Sequence, residues 1–316
     1  MGIRNLLFSV AATILLTQTG DGQAARPGRP QAIDRGAAYR GSWGTYDAAP
    51  YIEAKAMKPE MRMDVDRLIK ELVDLKVNTY CFLIWHQAVD WVELHRFLPE
   101  ARKHGIRVWV YLTPPSEQPP IDRSYGYDEP FRMDYERWGR ELARLSLEEP
   151  NLVGWCIDDF PIDNNMKVLT PAYLGKAVEG ARRINPKFAF MPCVYEMTGG
   201  RAERLRAYKG IFDGIFLCHN LQSDETTEQQ HRTYMEQNVA ATRSVFGKTI
   251  PIVSFQFTTR WRDALPPSPQ RTAFLLRLSR SLCDGVICYL HPKPDATNRE
   301  AIREVFAETA IRGWRK

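Results

Sequence analysis

Two adjacent carboxylates, Asp158 and Asp159, are the residues of this sequence best suited to do chemistry. They directly follow the apolar run Leu152–Ile157, and charged groups are costly to bury without partners. Two close carboxylates repel each other, which raises the pKa of one and makes it a proton donor near neutral pH. A structural alternative stays open, in which one aspartate caps the following turn or pairs with an arginine from a neighbouring loop. The pair therefore predicts acid–base chemistry at the end of an apolar strand.

The elements that must position this pair follow a regular alternation. Short apolar segments alternate eight times with longer amphipathic ones, as expected of parallel strands and the helices that cover them. Eight such units predict an α/β fold, a single (β/α)8 TIM barrel over residues 38–316. A doubly wound open sheet is the competing fold, but the sequence has no Gly-rich phosphate loop after an early strand. The predicted strands are Ala38–Trp43, Val77–Trp85, Ile106–Thr113, Leu152–Phe160, Phe188–Tyr195, Gly214–His219, Ile250–Thr258 and Gly285–His291, and the predicted helices lie near 61–76, 91–104, 132–149, 171–184, 200–208, 225–246, 268–283 and 298–312.

Reactive groups of such a barrel lie where strands end and the following loops begin. The predicted ends are rich in aromatic, amide and carboxylate side chains, which suit a carbohydrate better than a phosphorylated metabolite. A tryptophan near a strand end is more often a core residue than a stacking platform. The first strand also has Tyr46 and Asp47 close behind it. The candidates for substrate binding are Trp43, Trp85, His86, Glu117, Tyr195, His219, Asn220, Gln256, Tyr289 and His291.

The longest connection, from Pro114 to Pro130, follows the third predicted strand and contains Glu117. It is rich in proline and tyrosine. Long loops at this end of a barrel are commonly functional, so this segment is predicted to form part of the rim of the site.

The segment Leu152–Phe160 resembles the fourth strand of family 84 β-N-acetylglucosaminidases, which are glycoside hydrolases with a (β/α)8 catalytic domain. The resemblance covers this strand closely and the rest of the chain only through its barrel periodicity. It implies that Asp158 polarises the acetamido group of the substrate, which attacks the anomeric carbon. It also implies that Asp159 is the general acid/base. The function expected on this basis is hydrolysis of a glycan, such as an N-acetylhexosaminide.

The sequence departs from the larger group of retaining barrel glycosidases, which place Asn-Glu after strand four and a nucleophilic Glu after strand seven. Strand seven here reads Ser254–Thr259 and contains no carboxylate. If a second catalytic carboxylate exists, Glu196 after strand five is best placed and Glu117 is next. The distance between the carboxyl groups would decide between retention and inversion.

Two alternatives from other functional classes remain open. His86, His219 and His291 lie at the ends of strands two, six and eight, and with an aspartate they would suit a metal-dependent hydrolase. The His-x-His of the amidohydrolase type is missing from the first strand, and we expect no metal and no cofactor. The second alternative is a barrel that binds a glycan without cleaving it.

The first residues differ from the rest of the chain. Arg4, the apolar run Leu6–Leu16 and the small residues before Ala25 predict a signal peptide over 1–24 and export to the periplasm or the cell exterior. An uncleaved membrane anchor is the alternative, although the run is short for ~30 Å of hydrocarbon. Residues 25–37 read as a flexible lead-in.

The charge pattern and the cysteines narrow the possible partners. The net charge of +5 is mild, and no basic stripe of the kind that binds nucleic acid is present. We expect a carbohydrate partner, no nucleic acid, and no membrane contact beyond export. The six cysteines show no metal-binding spacing and are predicted to be free core residues, with an occasional disulfide as the alternative: Cys81, Cys156, Cys193, Cys218, Cys283 and Cys288.

Overall fold

The computed structural model describes residues 33–47, 63–87, 89–219, 221, 225–259 and 266–313. Eight parallel strands close into a barrel in which each strand pairs with the next and the last pairs with the first. The strands are β1 Ser42–Asp47, β2 Thr79–Ile84, β3 Arg107–Leu112, β4 Leu152–Ile157, β5 Ala189–Val194, β6 Ile215–His219, β7 Ile252–Phe257 and β8 Gly285–Tyr289. The described helices are α1 Val65–Asp74, α2 Asp90–Lys103, α3 Tyr135–Glu148, α4 Asp163–Val168, α5 Pro171–Ile184, α6 Arg201–Arg204, α7 Glu228–Phe246, α8 Pro269–Leu282 and α9 Arg299–Arg312. The predicted (β/α)8 barrel is confirmed.

The predicted signal peptide lies outside the described residues, as does most of the lead-in. None of the helices in the described part of the chain is long and apolar enough to cross a membrane. The end of the lead-in is ordered, because Arg35–Ala38 form a short 3-10 helix in which Gly36 is buried. The Arg35 guanidinium also pairs with the Asp213 carboxylate at 2.9 Å.

Alternation along each strand divides the apolar residues into two cores. One fills the barrel and contains Trp109, Tyr111 and Phe216, whose rings meet edge to face. The other lies between the barrel and the helices and contains Trp138 and Trp155. Because most strands are buried on both faces, several of them, such as β2, β3 and β5, read as nearly continuous apolar runs.

The first strand begins four residues later than the sequence predicts. Residues 35–38 form the 3-10 helix, and Gly41, with a φ of 65°, turns the chain into β1 at Ser42. Tyr39, predicted to lie in the strand, instead precedes it and packs its ring against Trp109 inside the barrel. The functional end of β1 is therefore Tyr46–Asp47, and Trp43 lies near the start of the strand.

The cysteines are buried, and all six are free. Their prediction as core thiols is confirmed. Four of them, Cys81, Cys156, Cys193 and Cys218, belong to the core inside the barrel, where Cys193 Sγ lies 3.6 Å from Cys218 Sγ.

The closure of the barrel depends on a very close approach of the β1 and β2 backbones at Gly44. Gly44 pairs with Thr79 of β2, and a Cβ at Gly44 would lie 1.7 Å from the Thr79 carbonyl oxygen. No side chain is compatible with that distance, so a larger residue would push β1 away from β2.

We therefore expect Gly44→Ala to lower the free energy of unfolding by at least about 2 kcal/mol, because it overpacks a backbone contact that cannot give way. Urea unfolding followed by circular dichroism measures this. Gly175→Ala is the matched control. An added Cβ there meets only Ile211 at an ordinary 3.6 Å, and alanine favours the helix by up to about 1 kcal/mol. Equal stability of the Gly44→Ala variant and the wild type would contradict this account of barrel closure.

Candidate functional site

A cavity of about 790 Å³ opens at the end of the barrel where the strands terminate. Its lining combines five carboxylates with two arginines, several aromatic rings and apolar side chains. The lining residues are Tyr46, Asp47, Leu83, Trp85, Thr113, Glu117, Tyr125, Asp158, Asp159, Pro161, Ile162, Met166, Tyr195, Glu196, Arg201, Arg204, Phe255, Phe257, Tyr289 and Leu290.

Asp158 and Asp159 both line this cavity, in different backbone settings. Asp158 extends the ladder of β4, since its N–H donates to the Leu112 carbonyl at 3.0 Å, and its side chain points inward as that of Cys156 does. Asp159 has a φ of 45° and turns the chain out of the strand. Its N–H donates to Asp158 Oδ1 at 2.7 Å, so the backbone of the second aspartate helps to fix the carboxylate of the first.

The surroundings of Asp158 favour its protonated form. Burial raises the pKa of this carboxyl well above its ordinary range, and repulsion from Asp159 and Glu117 raises it further. A hydrogen bond from the Tyr111 hydroxyl opposes these effects but does not cancel them. Burial raises the pKa of Tyr195 and Tyr289, and the charge of Asp158 raises both further.

Glu117 is the third carboxylate of this cluster. It ends the short 3-10 helix Pro115–Glu117 in the long connection after β3, which places that connection at the rim as predicted. Burial raises the pKa of Glu117 to about 7, and the charge of Asp159 contributes in the same direction. Near neutral pH, the carboxyl groups of Glu117, Asp158 and Asp159 are therefore not all ionised at once. The cavity thus holds exchangeable protons.

Asn165 of α4 joins the two loops that carry these carboxylates. Its fully buried side chain donates to the Asp159 carbonyl at 2.8 Å and accepts from the Ser116 N–H at 2.7 Å. Glu117 and Asp159 are thus held close together by one amide. Sequence reasoning missed Asn165, because helix α4 has only six residues and was not predicted.

Glu196 lines the cavity, but both of its carboxylate oxygens bind residues outside the aspartate pair. One of its oxygens accepts from the Thr198 hydroxyl at 2.6 Å, and the other forms an ion pair with Arg201. The sequence ranks Glu196 ahead of Glu117 as the further carboxylate, whereas the structure gives Glu117 the stronger coupling to the aspartate pair.

The end of β2 is organised by two buried aspartates that the sequence analysis did not single out. Asp90 Oδ2 accepts from the Trp85 N–H at 2.6 Å and the Gln87 N–H at 3.3 Å. Asp128 accepts from the N–H groups of His86 and Thr113 at 3.2 and 3.1 Å. These bonds hold Trp85 at the cavity with 44% of its surface exposed, which suits a ring that stacks on a ligand.

Four candidates for substrate binding lie in the cavity wall: Trp85, Glu117, Tyr195 and Tyr289. Trp43 does not, because β1 begins later than predicted. The Trp43 ring packs on the outer core, and its Nε1 donates to the Lys76 carbonyl at 2.7 Å. Asn220 lies outside the described residues.

Three further candidates are absent from the cavity wall, and strand alternation explains two of them, Gln256 and His219. Gln256 lies between Phe255 and Phe257, which face inward. Its amide donates to the hydroxyls of Ser254 and Ser279, on the side of β7 that faces helix α8. His219 follows the inward-facing Cys218 and pairs with His231 at 2.8 Å. His291 lies between Thr45 at 3.1 Å and Glu71 at 3.2 Å. Burial lowers the pKa of His219 to about 3, of His231 to about 4, and lowers that of His291.

The three histidines proposed as metal ligands are therefore not brought together. His86 lies beside Asp128, with Nδ1 at 3.3 Å from Oδ1, and has neither His219 nor His291 as a neighbour. Over the described ranges, no group of three or more histidine, cysteine, aspartate or glutamate side chains has a geometry that could hold a metal ion. The ligands proposed for a metal-dependent hydrolase are therefore not assembled into one site in the described part of the chain.

Several cavity residues were not among the sequence candidates. Phe255 and Phe257 could have been found by continuing the alternation along β7. Tyr125 lies in the long loop that the sequence marks as a rim. Arg201 and Arg204 belong to the short helix α6, whose position depends on the chain turn at Gly199–Gly200. No local pattern in the sequence identifies Arg201 and Arg204 as cavity residues.

Several solved structures are similar to this chain in fold. The chain is similar to the exo-beta-1,4-mannosidase Op5Man5 from Opitutaceae bacterium strain TAV5, with a TM-score of 0.61 and 13% identity over 86% of this chain and 60% of that one. The chain thus spans less than two thirds of that mannosidase. The beta-glucanase SdGluc5_26A from Saccharophagus degradans, in complex with cellotetraose, gives a TM-score of 0.59 and 11% identity over 86% and 88% of the two chains.

A third similar structure is the PgaB (BpsB) glycoside hydrolase domain from Bordetella bronchiseptica, with a TM-score of 0.53 and 14% identity over 84% of this chain and 98% of that one. No protein-family model matches the chain, and a search of curated proteins found no match. The chain therefore shares the barrel fold of these glycoside hydrolases. The resemblance to family 84 stays a prediction from the fourth strand.

The buried Asp90 gives a prediction about stability and pH. Burial raises the pKa of Asp90 to about 7 in the folded protein, whereas an unfolded aspartate titrates near 3.9. The folded state then binds more protons between these values, so Asp90 makes the free energy of unfolding fall as pH rises from about 4 to about 7. The contribution approaches 1.4 kcal/mol per pH unit. Asp90→Asn keeps an acceptor for the Trp85 and Gln87 N–H groups and should flatten this slope.

Urea unfolding at several pH values measures the slope for the wild type and the variant. Asp64→Asn is the matched control, since Asp64 is an exposed aspartate that accepts from a backbone N–H at the start of α1. Identical slopes for the wild type and Asp90→Asn between pH 4 and 7 would contradict the prediction.

Proposed function

We propose that this protein is a glycoside hydrolase whose chemistry is done by Asp158, Asp159 and Glu117. The observation that carries the proposal is the convergence of these three carboxyl groups in one aromatic-lined cavity at the mouth of the barrel. Such barrels carry their catalytic residues at this end. The similarity in fold to several glycoside hydrolases supports the same assignment.

Cleavage of a glycosidic bond requires a proton donor for the leaving oxygen and a second group that stabilises the positive charge developing on the sugar. The cluster provides both kinds of group. Burial and mutual repulsion raise the pKa of Asp158 and Glu117, so acid and base forms coexist within one site near neutral pH. Trp85 and Tyr125 expose 44% and 40% of their surfaces beside the cluster and can stack on sugar rings.

The finer proposal is hydrolysis of an N-acetylhexosaminide with help from the substrate acetamido group. In retaining barrels with two catalytic glutamates, the nucleophile follows strand seven. Here β7 presents Phe255 and Phe257 to the cavity and turns Gln256 away from it. A nucleophile supplied by the substrate fits this arrangement, with Asp158 polarising the acetamido group and Asp159 exchanging the proton.

Asp158 is suitably placed for the polarising role. It lies on the wall of the cavity, and its carboxyl group is fixed by the Tyr111 hydroxyl and by the Asp159 N–H. Two fixed hydrogen bonds limit its motion and orient it towards a bound group. Asp159 lies at the turn out of β4, beside Glu117, where a leaving oxygen can be reached from the open side of the cavity.

The direct test is turnover on a panel of aryl glycosides, beginning with the N-acetylglucosaminide. We expect hydrolysis of at least one substrate and a loss of at least about 100-fold in kcat/KM for Asp159→Asn, because the variant cannot exchange the proton. Asp163→Asn is the matched control: Asp163 is exposed, follows the same strand, and pairs with Arg204 outside the cluster.

Folding of each variant is checked by thermal unfolding. A folded wild-type protein that turns over no glycoside in a broad panel would overturn the proposal. Binding of a glycan by the wild type without hydrolysis would favour the non-catalytic barrel instead.

We further propose that the chain is exported and processed after Ala24. The proposal depends on the charged start, apolar run and small residues of the first 24 positions. Expression of the full chain in a bacterial host followed by N-terminal sequencing of the periplasmic fraction should give a chain that starts at Ala25. A product that retains Met1 and remains in the membrane fraction would favour the uncleaved anchor.

A further inference from the structure

The cationic side chains in the wall of the cavity come from one short element. Among the described residues that line the cavity, the two cations are Arg201 and Arg204, and both belong to helix α6, which follows β5. The three carboxyl groups assigned to the chemistry belong to the loops after β3 and β4. A ligand that fills the cavity therefore meets acids from two loops and a pair of arginines from the next.

Helix α6 presents these arginines from a fixed position. Arg201 and Arg204 are three positions apart, so their side chains lie on the same face of the helix. Ala202 and Leu205, which follow them directly in the chain, are buried and belong to the core between the barrel and the helices. The helix is thus anchored by its apolar residues, and the guanidinium groups are left to the cavity.

Each guanidinium group has donors that the protein does not use. Arg201 pairs through Nη1 with Glu196, and Arg204 pairs through Nη2 with Asp163. A guanidinium group carries several N–H donors in a planar fork. The Nε and Nη2 atoms of Arg201, and the Nε and Nη1 atoms of Arg204, donate no hydrogen bond to any described residue. Both arginines therefore retain donors for a ligand.

The ion pairs that the two arginines do form are open to solvent. The side chains of Arg201 and Arg204 are 50% and 54% exposed, and those of Glu196 and Asp163 are 34% and 74% exposed. Ion pairs with this exposure are screened by water and contribute little to stability. An anionic group of a ligand can therefore bind the free donors without displacing a buried partner.

Arg206 shows the contrasting arrangement on the same segment. Its Nε pairs with Glu203 Oε1, and its Nη2 donates to Glu203 Oε2 at 2.7 Å, so the two side chains form a bidentate pair. Arg206 does not line the cavity. A surface arginine of this segment is thus neutralised through both edges of its fork, whereas each cavity arginine binds its carboxylate through a single nitrogen.

We propose that Arg201 and Arg204 form an anion subsite of the cavity, and that the glycan bound there carries an acidic substituent. The substituent is the carboxylate of a uronic acid or a sulfate ester, since the planar fork of arginine matches the oxygens of either group. The inference rests on the proposed function, because it names the class of glycan that the same cavity takes. Repulsion from Asp158 and Asp159 directs the substituent towards α6 and so orients the sugar.

The first test compares ligands that differ only in the acidic group. Methyl glycosides of glucose, galactose and mannose, in both anomeric forms, are titrated against the full chain by NMR beside their uronides and 6-sulfates. We expect at least one acidic ligand to bind at least about 10-fold more tightly than its neutral counterpart, because charged hydrogen bonds replace water. The preference should shrink as sodium chloride is raised from about 50 to about 500 mM. A response to uronides alone or to sulfates alone identifies the substituent.

The second test removes the arginines. Arg201→Gln and Arg204→Gln should each lower the affinity for the acidic ligand by about 10-fold and leave that for the neutral ligand unchanged, because only the acidic group loses its donors. Arg201→Lys keeps the charge without the fork and should lose less. Arg206→Gln is the matched control and should change neither affinity. Folding of each variant is checked by thermal unfolding.

Two results would overturn the inference. One is that no acidic ligand binds more tightly than its neutral counterpart. The other is a preference for the acidic ligand that persists in the folded double variant Arg201→Gln/Arg204→Gln. The proposed function fails separately: binding that prefers acidic ligands without hydrolysis of any glycoside would support the subsite and contradict only the hydrolase. Hydrolysis of neutral glycosides with no acidic preference in binding would support the hydrolase and contradict the subsite.

Discussion

The site depends on the repulsion between carboxyl groups that the fold forces together at the mouth of the barrel. The parallel strands β3 and β4 end side by side, with Leu112 paired to Ile157, so the loops that follow them start a few ångströms apart. Glu117 belongs to one loop, and the aspartate pair belongs to the other. Each of these groups would ionise readily in water. Inside the cavity, burial raises the pKa of Asp158 and Glu117, a charge on a neighbouring carboxylate raises it further, and proton sharing is the result.

Buried hydrogen bonds hold these acids where repulsion would separate them. Asn165 binds the backbone of both loops, Asp128 joins the ends of β2 and β3, and Asp90 fixes the turn at Trp85. All three side chains are buried, and they form most of their hydrogen bonds with backbone N–H or carbonyl groups. Asp128 also accepts from the Thr113 hydroxyl. The positions of the reactive groups are therefore set by residues that do not line the cavity. Substitution of these residues would alter the cluster without removing any of its carboxyl groups.

The sequence predicts the barrel and the location of the aspartate pair, because both follow from strong local signals. Eight apolar runs define the strands, and two acids at the end of one run can be tolerated only at the mouth. Gln256 and His219 show where this reasoning fails. Each lies near the end of a strand as predicted, but a shift of one residue decides whether a side chain faces the cavity or the helices. The prediction for Trp43 is wrong because a 3-10 helix precedes β1 and makes the strand begin later. The apolar pattern of the sequence does not reveal this helix. Asn165 could not be predicted, since its two partners are separated from it by 49 and 6 positions and meet it only in the closed barrel.

Two of the four non-glycine residues with a left-handed φ in the described part of the chain lie at the ends of the strands on either side of β3. His86 after β2 and Asp159 after β4 both have left-handed φ values, although neither is glycine. Such conformations cost about 1 kcal/mol or more each and persist only where surrounding bonds determine them. Asp128 supplies those bonds for His86, and Asn165 supplies them for Asp159. A glycine at either position would remove the strain, but it would also remove the imidazole or the carboxylate. At Asp159, the strained backbone therefore keeps a carboxylate in the cavity wall beside Glu117, where the proposed chemistry requires it.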